Sequence, residues 1–440
     1  MAHNITLGRG TDMTASRPIP AAAASPPTAG ITLQPVNVDS PALSAWMRAS
    51  SRAFLQSPPT EQRVDYFRRV YREQRLTAAM DADQTVGTFC SCDRDLTVPG
   101  GGTVAANAIS WVSVGPTHHR RGILSTMMRA DLAGAVDRGQ SVAVLTASEG
   151  GIYDRFGFGP STESTTWTLD RRAARFRPEA VDDLEACRSV EVADLRPLAP
   201  EMYRRGRRPG SVDLADTWWD CGLGLVPEAG TYVMDQEAVL YVGPEGTPDG
   251  YMRYRTDSLS WGEGARQTIA NVLDLVTATP AAYRGLWRYL AELDLATSVR
   301  AQDRPVDEAL PWLLTDPRAA QQVARCDFLW SRLLDPVAAL SARTYRVPGS
   351  CRFEVLDPDG WAAGHYLLEA AGDGTGNCRA WPGPVEVTLT VQALSALWLG
   401  GGNLCAAALS GQVVEHSPGA VNRLATLLST AQAPWTSPWL

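Results

Sequence analysis

Hydrophobic positions along this chain recur with two periods, and the switches between them mark out the elements. Residues 31–36 predict a short strand. Residues 42–75 predict helix, with apolar positions on one face and polar ones opposite. Three glycines at 100–102 mark a loop over 99–103. Beyond it, Ile109, Trp111 and Ser113 share one face of a predicted strand while Ser110, Val112 and Val114 share the other. Pro116 closes that strand. From Gly122 the apolar positions Leu124, Met127, Met128, Leu132, Ala135 and Val136 recur at helical spacing until Gly139 supplies the stop. Residues 141–147 form a continuous run of small and β-branched residues, which suits a central strand buried on both faces. Crossover handedness places it parallel to its predecessor and near it.

Pro178 and the charged segment after it predict a boundary. A strand, a turn and a strand follow over 239–253 around the glycines at 243 and 250, then a long helix over 281–293 with Leu286, Tyr289, Leu290 and Leu293 on its buried stripe. A third unit is expected from about Phe328, with strands at 351–356, 361–368 and 385–391 and helices at 392–399 and 420–429. The fold class is therefore α+β, in three units over 31–178, 179–327 and 328–440. Residues 1–30 hold Arg9 and Arg17 among Ala, Pro, Ser and Thr without an apolar core, and read as a disordered tail rather than a secretory signal.

Composition narrows the chemistry. All 40 basic residues among the 440 are Arg, which removes every mechanism that needs a lysine, such as a pyridoxal Schiff base or a P-loop. A net charge of -8 and no sustained basic stripe argue against nucleic acid as the main partner. No apolar run reaches the ~18 residues of a membrane span. The 8 cysteines form no C-x-x-C pair, and only Cys90 and Cys92 lie close. His118 and His119 are adjacent and would point different ways, so no metal site is expected. Free thiols fit a reducing, cytoplasmic setting.

Two segments carry the candidate chemistry. The first, V-S-V-G-P-T-H-H-R-R-G-I-L-S-T over 112–126, sets two Arg and a Gly between a strand and a helix. Free N–H groups collect at such a helix start, so a pyrophosphate could sit on the amides from Arg121 to Ser125 with Gly122 allowing close approach. From spacing alone, the segment reads equally as an ordinary basic loop capping a helix. The second, T-A-S-E-G-G-I-Y-D-R-F-G-F-G-P over 146–160, follows the next strand.

Together these segments resemble the GCN5-related N-acetyltransferase (GNAT) superfamily, whose acyl-CoA signature falls here on His119 to Leu124. The first and last of those positions depart from its consensus, while Arg120, Arg121 and Gly122 keep the phosphate-cradling core. More narrowly, the sequence is similar to the Eis (enhanced intracellular survival) family of aminoglycoside acetyltransferases, with further matching pieces at 310–318, 326–335 and 396–401. The resemblance implies an acetyltransferase domain, a second domain of similar fold without a working cofactor site, and a sterol-carrier-protein-like domain. It implies acetyl-CoA as cosubstrate, no metal, a small-molecule amine as acceptor and a homo-oligomer, a hexamer in that family.

Residue by residue, the resemblance assigns Val112, Ser113 and Val114 to the strand that holds the pantetheine arm. It assigns Arg120, Arg121, Gly122, Ile123, Leu124 and Ser125 to the pyrophosphate turn, and Ser148 and Glu149 to a second cofactor contact. Tyr153 becomes the general acid and the Leu440 carboxylate the general base, with Glu149 as the competing base. Direct transfer from a thioester needs such a proton source for the thiolate, and a phenol of ordinary pKa ~10 is matched to it. An acid to hold a polycation is missing where it would be sought, since Gln56 stands after Phe54 and Leu55. Trp218, Trp219, Trp435 and Trp439 read as packing. A lipid-binding or scaffold role of the third unit is the rival reading, and acetylation of protein lysines or N-termini differs from the first only in substrate.

Overall fold

The computed structural model describes residues 30–180, 184–226, 235–258 and 268–436, so residues 1–29 of the expected tail and Leu440 lie outside the described residues. The first part of the chain runs β1 (Ile31–Val36), α1 (Ala42–Ala53), α2 (Glu61–Val70), β2 (Arg75–Asp81), β3 (Gln84–Thr97), β4 (Thr103–Val114), α3 (Ile123–Asp137), β5 (Val142–Thr146), β6 (Gly159–Pro160) and β7 (Glu163–Asp170). The single helix expected over 42–75 is two helices. Pro58 and Pro59 lack amide hydrogens and push the chain out of the helical region. Thr60 then restarts it, accepting a hydrogen bond from the Arg63 amide at 3.2 Å.

Three sheets follow from the pairing. The first has seven strands in the order β1, β2, β3, β4, β5, Leu329–Leu333 and β6. The second, also of seven, runs Ala320–Asp327, β7, Ser298–Arg304, Thr268–Thr277, Pro248–Ser258, Glu237–Val242 and Cys187–Val190. The third has five, Gly376–Ala380, Gly364–Ala370, Gly349–Leu356, Val387–Thr390 and Val413–Glu415. Each sheet holds one parallel pair, with β4 on β5 in the first as expected.

The boundaries expected at 178 and 327 do not follow the sheets. β7 precedes the first boundary yet lies in the second sheet, and Leu329–Leu333 follows the second boundary yet lies in the first. A β5 paired on one edge with β4 needs a partner on the other, and Leu329–Leu333, buried along its whole length, closes that edge. The local pattern of either segment shows a strand without showing which sheet receives it.

Helix α3 covers one face of the first sheet, packing Met127, Met128 and Leu132 with Phe89, Ile109, Ala143 and Leu145. The opposite face is divided. Helices α1 and α2 cover its β1–β2 end through Trp46, Val64 and Phe67 with Leu76 and Ala78. The third unit covers its β5 end, where Val142, Val144 and Leu333 meet Phe353, Leu397 and Trp398. Between them, Leu214 and Trp218 reach over the middle of that face and leave a cleft beneath.

Candidate active site

Strands β4 and β5 pair over four residues, Ala106–Ile109 with Val142–Leu145, and then part. Beyond Ile109, β4 runs on to Val114 with no partner on that edge, so the sheet opens into a fork. A bulge shapes it. The register with β3 steps from Cys90–Ser110 to Thr88–Ser113, leaving Trp111 and Val112 opposite the single Phe89, and Trp111 adopts φ +52°. A positive φ is costly for a tryptophan and persists only where neighbours hold it. They do: Thr88 donates to the Trp111 carbonyl at 2.8 Å, and the Trp111 indole donates to the Tyr71 hydroxyl at 2.8 Å. The bulge also corrects the expected alternation. Trp111 turns to the α1–α2 side, while Ile109, Val112 and Val114 pack on the α3 side.

Past Val114 the chain turns through Pro116–His118 and enters α3 at Gly122, whose φ of +78° only glycine adopts without strain. No side chain caps this helix, and its first internal bond from the amino end runs from the Thr126 amide to Gly122. The amides of Ile123, Leu124 and Ser125 are therefore left for an outside acceptor. Of the two arginines, Arg121 pairs with Asp81 at 3.1 Å, where His118 also lies at 3.1 Å. The Arg121 and His118 hydrogen bonds hold the Asp81 carboxyl below its ordinary pKa. Arg120, exposed and at φ +62°, keeps its side chain outside any carboxylate pair among the described residues. The turn thus offers three amides and one unspent cation at the mouth of the fork.

The loop after β5 carries Ser148 and Glu149, both exposed, and then Tyr153, which is 7% exposed and packs edge-on to Phe158 at 6.1 Å. Burial raises the Tyr153 phenol above its ordinary pKa, and the Glu149 charge raises it further, so it stays protonated. Two contacts bolt this loop to the third unit. Arg332, fully buried, donates to the Phe156 carbonyl at 3.2 Å and to both Asp357 oxygens at 2.8 Å. Gly159 lies so close to helix Val391–Leu397 that an added Cβ would stand 2.3 Å from the Gln392 carbonyl oxygen.

On the open face, Trp46, Phe67, Tyr71 and Trp111 form an aromatic wall beside the fork, with Phe67 and Tyr71 stacked at 3.8 Å. Trp218 meets Tyr71 at 5.6 Å and lines the cleft, whereas Trp219 is buried packing as expected. Sequence reasoning missed Trp111 as the pivot of the bulge, and also Gln74, Cys92 and Arg94 on the cleft floor. The chain ends its described course at this seam. The Trp435 amide donates to the Pro209 carbonyl at 2.7 Å and the Thr436 hydroxyl to the Gly210 carbonyl at 2.9 Å, while Trp439 and Leu440 lie outside the described residues. No described helix is long and apolar enough to cross a membrane.

Comparison with known proteins agrees with this geometry. An acetyltransferase (GNAT) domain family matches residues 37–161, a second acetyltransferase (GNAT) domain family residues 210–337, and a sterol carrier protein domain family residues 336–437. An uncharacterized N-acetyltransferase of Streptomyces avermitilis is 39% identical over 89% of this chain and 94% of its own length. The N-acetyltransferase Eis of Mycobacterium tuberculosis is 35% identical over 72% of this chain and 76% of its own. The crystal structure of Eis1 from Mycobacterium abscessus superposes with a TM-score of 0.80 at 30% identity, covering 92% of this chain and 99% of that one.

Proposed function

The chain belongs to the Eis family of GNAT N-acetyltransferases, and from that premise we propose that it acetylates primary amines of small molecules at the β4–β5 fork, with Tyr153 as proton donor. The observation that carries this reading is the convergence of an uncapped helix start and a protonated, buried phenol on one opening in the sheet. Acetyl-CoA supplies the acetyl group as a thioester. The amides of Ile123, Leu124 and Ser125, with Arg120 and the close approach at Gly122, suit its pyrophosphate; Val112, Ser113 and Val114 form the edge of β4 that β5 leaves, along which the pantetheine arm can lie in place of the 2.9 Å contact of His119 Nε2 with the Val114 carbonyl; Ser148 and Glu149 are assigned by resemblance to a second cofactor contact.

Tyr153 holds its proton on the phenol oxygen and gives it to the departing sulfur as the C–S bond breaks and the C–N bond forms. The surplus proton of the amine goes to a carboxylate, assigned by resemblance to Leu440, with Glu149 as the alternative. The pinning of Trp435 and Thr436 beside the cleft supports that route for the tail. Aminoglycosides head the acceptors to be tried, and a homohexamer, tested by sedimentation, is the assembly carried over.

Thiol release from acetyl-CoA across a panel of amines tests the reading. Turnover with at least one primary amine is expected. Absence of both turnover and coenzyme binding overturns it.

A further inference from the structure

The acceptor side of the fork holds a charge that acetyl transfer does not use. On the face away from α3, a small inner chamber is floored by Cys92, Ser110 and Val144 and roofed by Leu214 and Trp218. It adjoins an outer chamber of about 300 Å³ between the end of α2 and residues 215–218. Gln74, Cys92, Arg94 and Trp218 line both. Because α3 and its free amides lie on the other face, an acceptor reaching the fork from this side meets these walls first.

The outer chamber holds four arginines and two acids. Arg72 is paired with Asp39 at 3.3 Å, and Arg75 with Asp93 at 2.9 Å; Arg138 draws on the same Asp93 at 3.4 Å. Nearby Asp213 accepts from the Asp95 amide at 2.5 Å. Glu73 stands exposed at the rim. Arg69, exposed on the outer wall, also has no carboxylate partner among the described residues, but it lines the outer chamber alone; Arg94, half-buried and lining both chambers, has only the Asp93 backbone carbonyl as partner, at 3.1 Å. Gln56, which accepts from Arg63, supplies no acid in compensation.

We propose that the preferred acceptor, in place of the polycationic aminoglycosides carried over by resemblance, is an amine that also carries a carboxylate, and that Arg94 receives it. This rests on the transfer reading above. Arg94 lies four residues along β3 from Cys90, which pairs with Ser110 at the fork, a separation of about 13 Å along the strand. An arginine side chain and a six-carbon aminocarboxylate together bridge it. A guanidinium–carboxylate contact in a half-buried site contributes about 1.5–3 kcal/mol, or roughly ten- to a hundredfold in selectivity.

The full chain is assayed with 6-aminohexanoate, hexylamine and 1,6-diaminohexane, by acetyl-CoA turnover and by calorimetric binding. Expected are a kcat/KM for 6-aminohexanoate about tenfold or more above that for hexylamine, loss of that advantage in Arg94→Gln, its retention in Arg94→Lys, and an unchanged rate with hexylamine in both variants. Equal or better use of hexylamine or 1,6-diaminohexane by the native chain overturns the proposal, as does an advantage that survives Arg94→Gln. If no amine is turned over, Arg94-dependent binding of 6-aminohexanoate upholds the carboxylate subsite while the transfer reading falls; absence of such binding overturns the subsite.

Discussion

The first and second sheets are built on one plan, and they differ in the donors left unsatisfied where their parallel strands part. In the first, β4 and β5 pair over four residues and part. In the second, Thr268–Thr277 and Ser298–Arg304 also pair in parallel over four, from Ile269–Ser298 to Val272–Ala301. Beyond that point the two diverge. The second fork is bridged by Arg304, which donates to the Leu275 carbonyl at 2.9 Å and to Glu308 at 3.0 Å, all of it buried. Its crossover helix Pro280–Ala291 begins on a proline that has no amide, and the Thr279 hydroxyl accepts from the Ala282 amide at 3.2 Å. An anion site at a helix start is a set of unsatisfied donors. The second unit has deleted one such donor at Pro280 and satisfied another at Ala282, while the first begins α3 on an uncapped glycine. Shared topology, then, does not make a site; the groups left without partners do.

The largest effect should come from the buried phenol beside the first fork. Tyr153→Phe is expected to lower kcat by about 10²–10⁴ with coenzyme affinity unchanged, measured by steady-state kinetics beside calorimetry. Because burial and Glu149 raise the phenol, it remains a proton donor up to and beyond its ordinary pKa; the native rate should lose this donor only above pH ~10. A native rate that falls below pH 9 as a phenol is lost would contradict the role.

Next in size is the bolt between the Tyr153 loop and the third unit. Arg332→Met leaves the Asp357 carboxylate buried and unpaired, so a loss of about 3–5 kcal/mol of stability is expected in denaturant unfolding. A change within about 0.5 kcal/mol would show that Asp357 finds another partner.

Much of this contrast was legible in the sequence, and the remainder was not for physical reasons. The parallel β4–β5 pair, the extent of α3 and the glycine at its start follow from period, handedness and stop signals. The resemblance located Tyr153. The bulge at Trp111 was invisible because V-S-V after Trp111 continues a regular alternation, and the extra residue exists only relative to Phe89 on another strand. The exchange of β7 and Leu329–Leu333 between sheets was hidden for the same reason, pairing being a property of two segments far apart in sequence. Arg94 gave no signal beyond a charged residue within a strand; its significance lies in which acids its neighbours already hold.

A smaller effect is expected from transplanting the second unit's helix start into the first. Gly122→Thr with Ile123→Pro forces a β-branched residue toward φ +78° and deletes one donor amide. Coenzyme affinity should fall by about tenfold or more, equivalent to ~1.4 kcal/mol, in calorimetric titration. Undiminished affinity would mean that the pyrophosphate is not seated on these amides.

The reverse change should have the smallest effect and is the most discriminating. Thr279→Ala removes the cap of helix Pro280–Ala291, a loss of about 1 kcal/mol readable as a small fall in the unfolding midpoint. It frees the Ala282 amide, yet Pro280 still contributes no donor and Arg304 still fills the fork. The calorimetric stoichiometry should therefore stay at that of the native chain, with turnover unchanged. A second equivalent of coenzyme bound by this variant would show that the threonine cap alone had separated the two sheets, and that the bridging arginine had not.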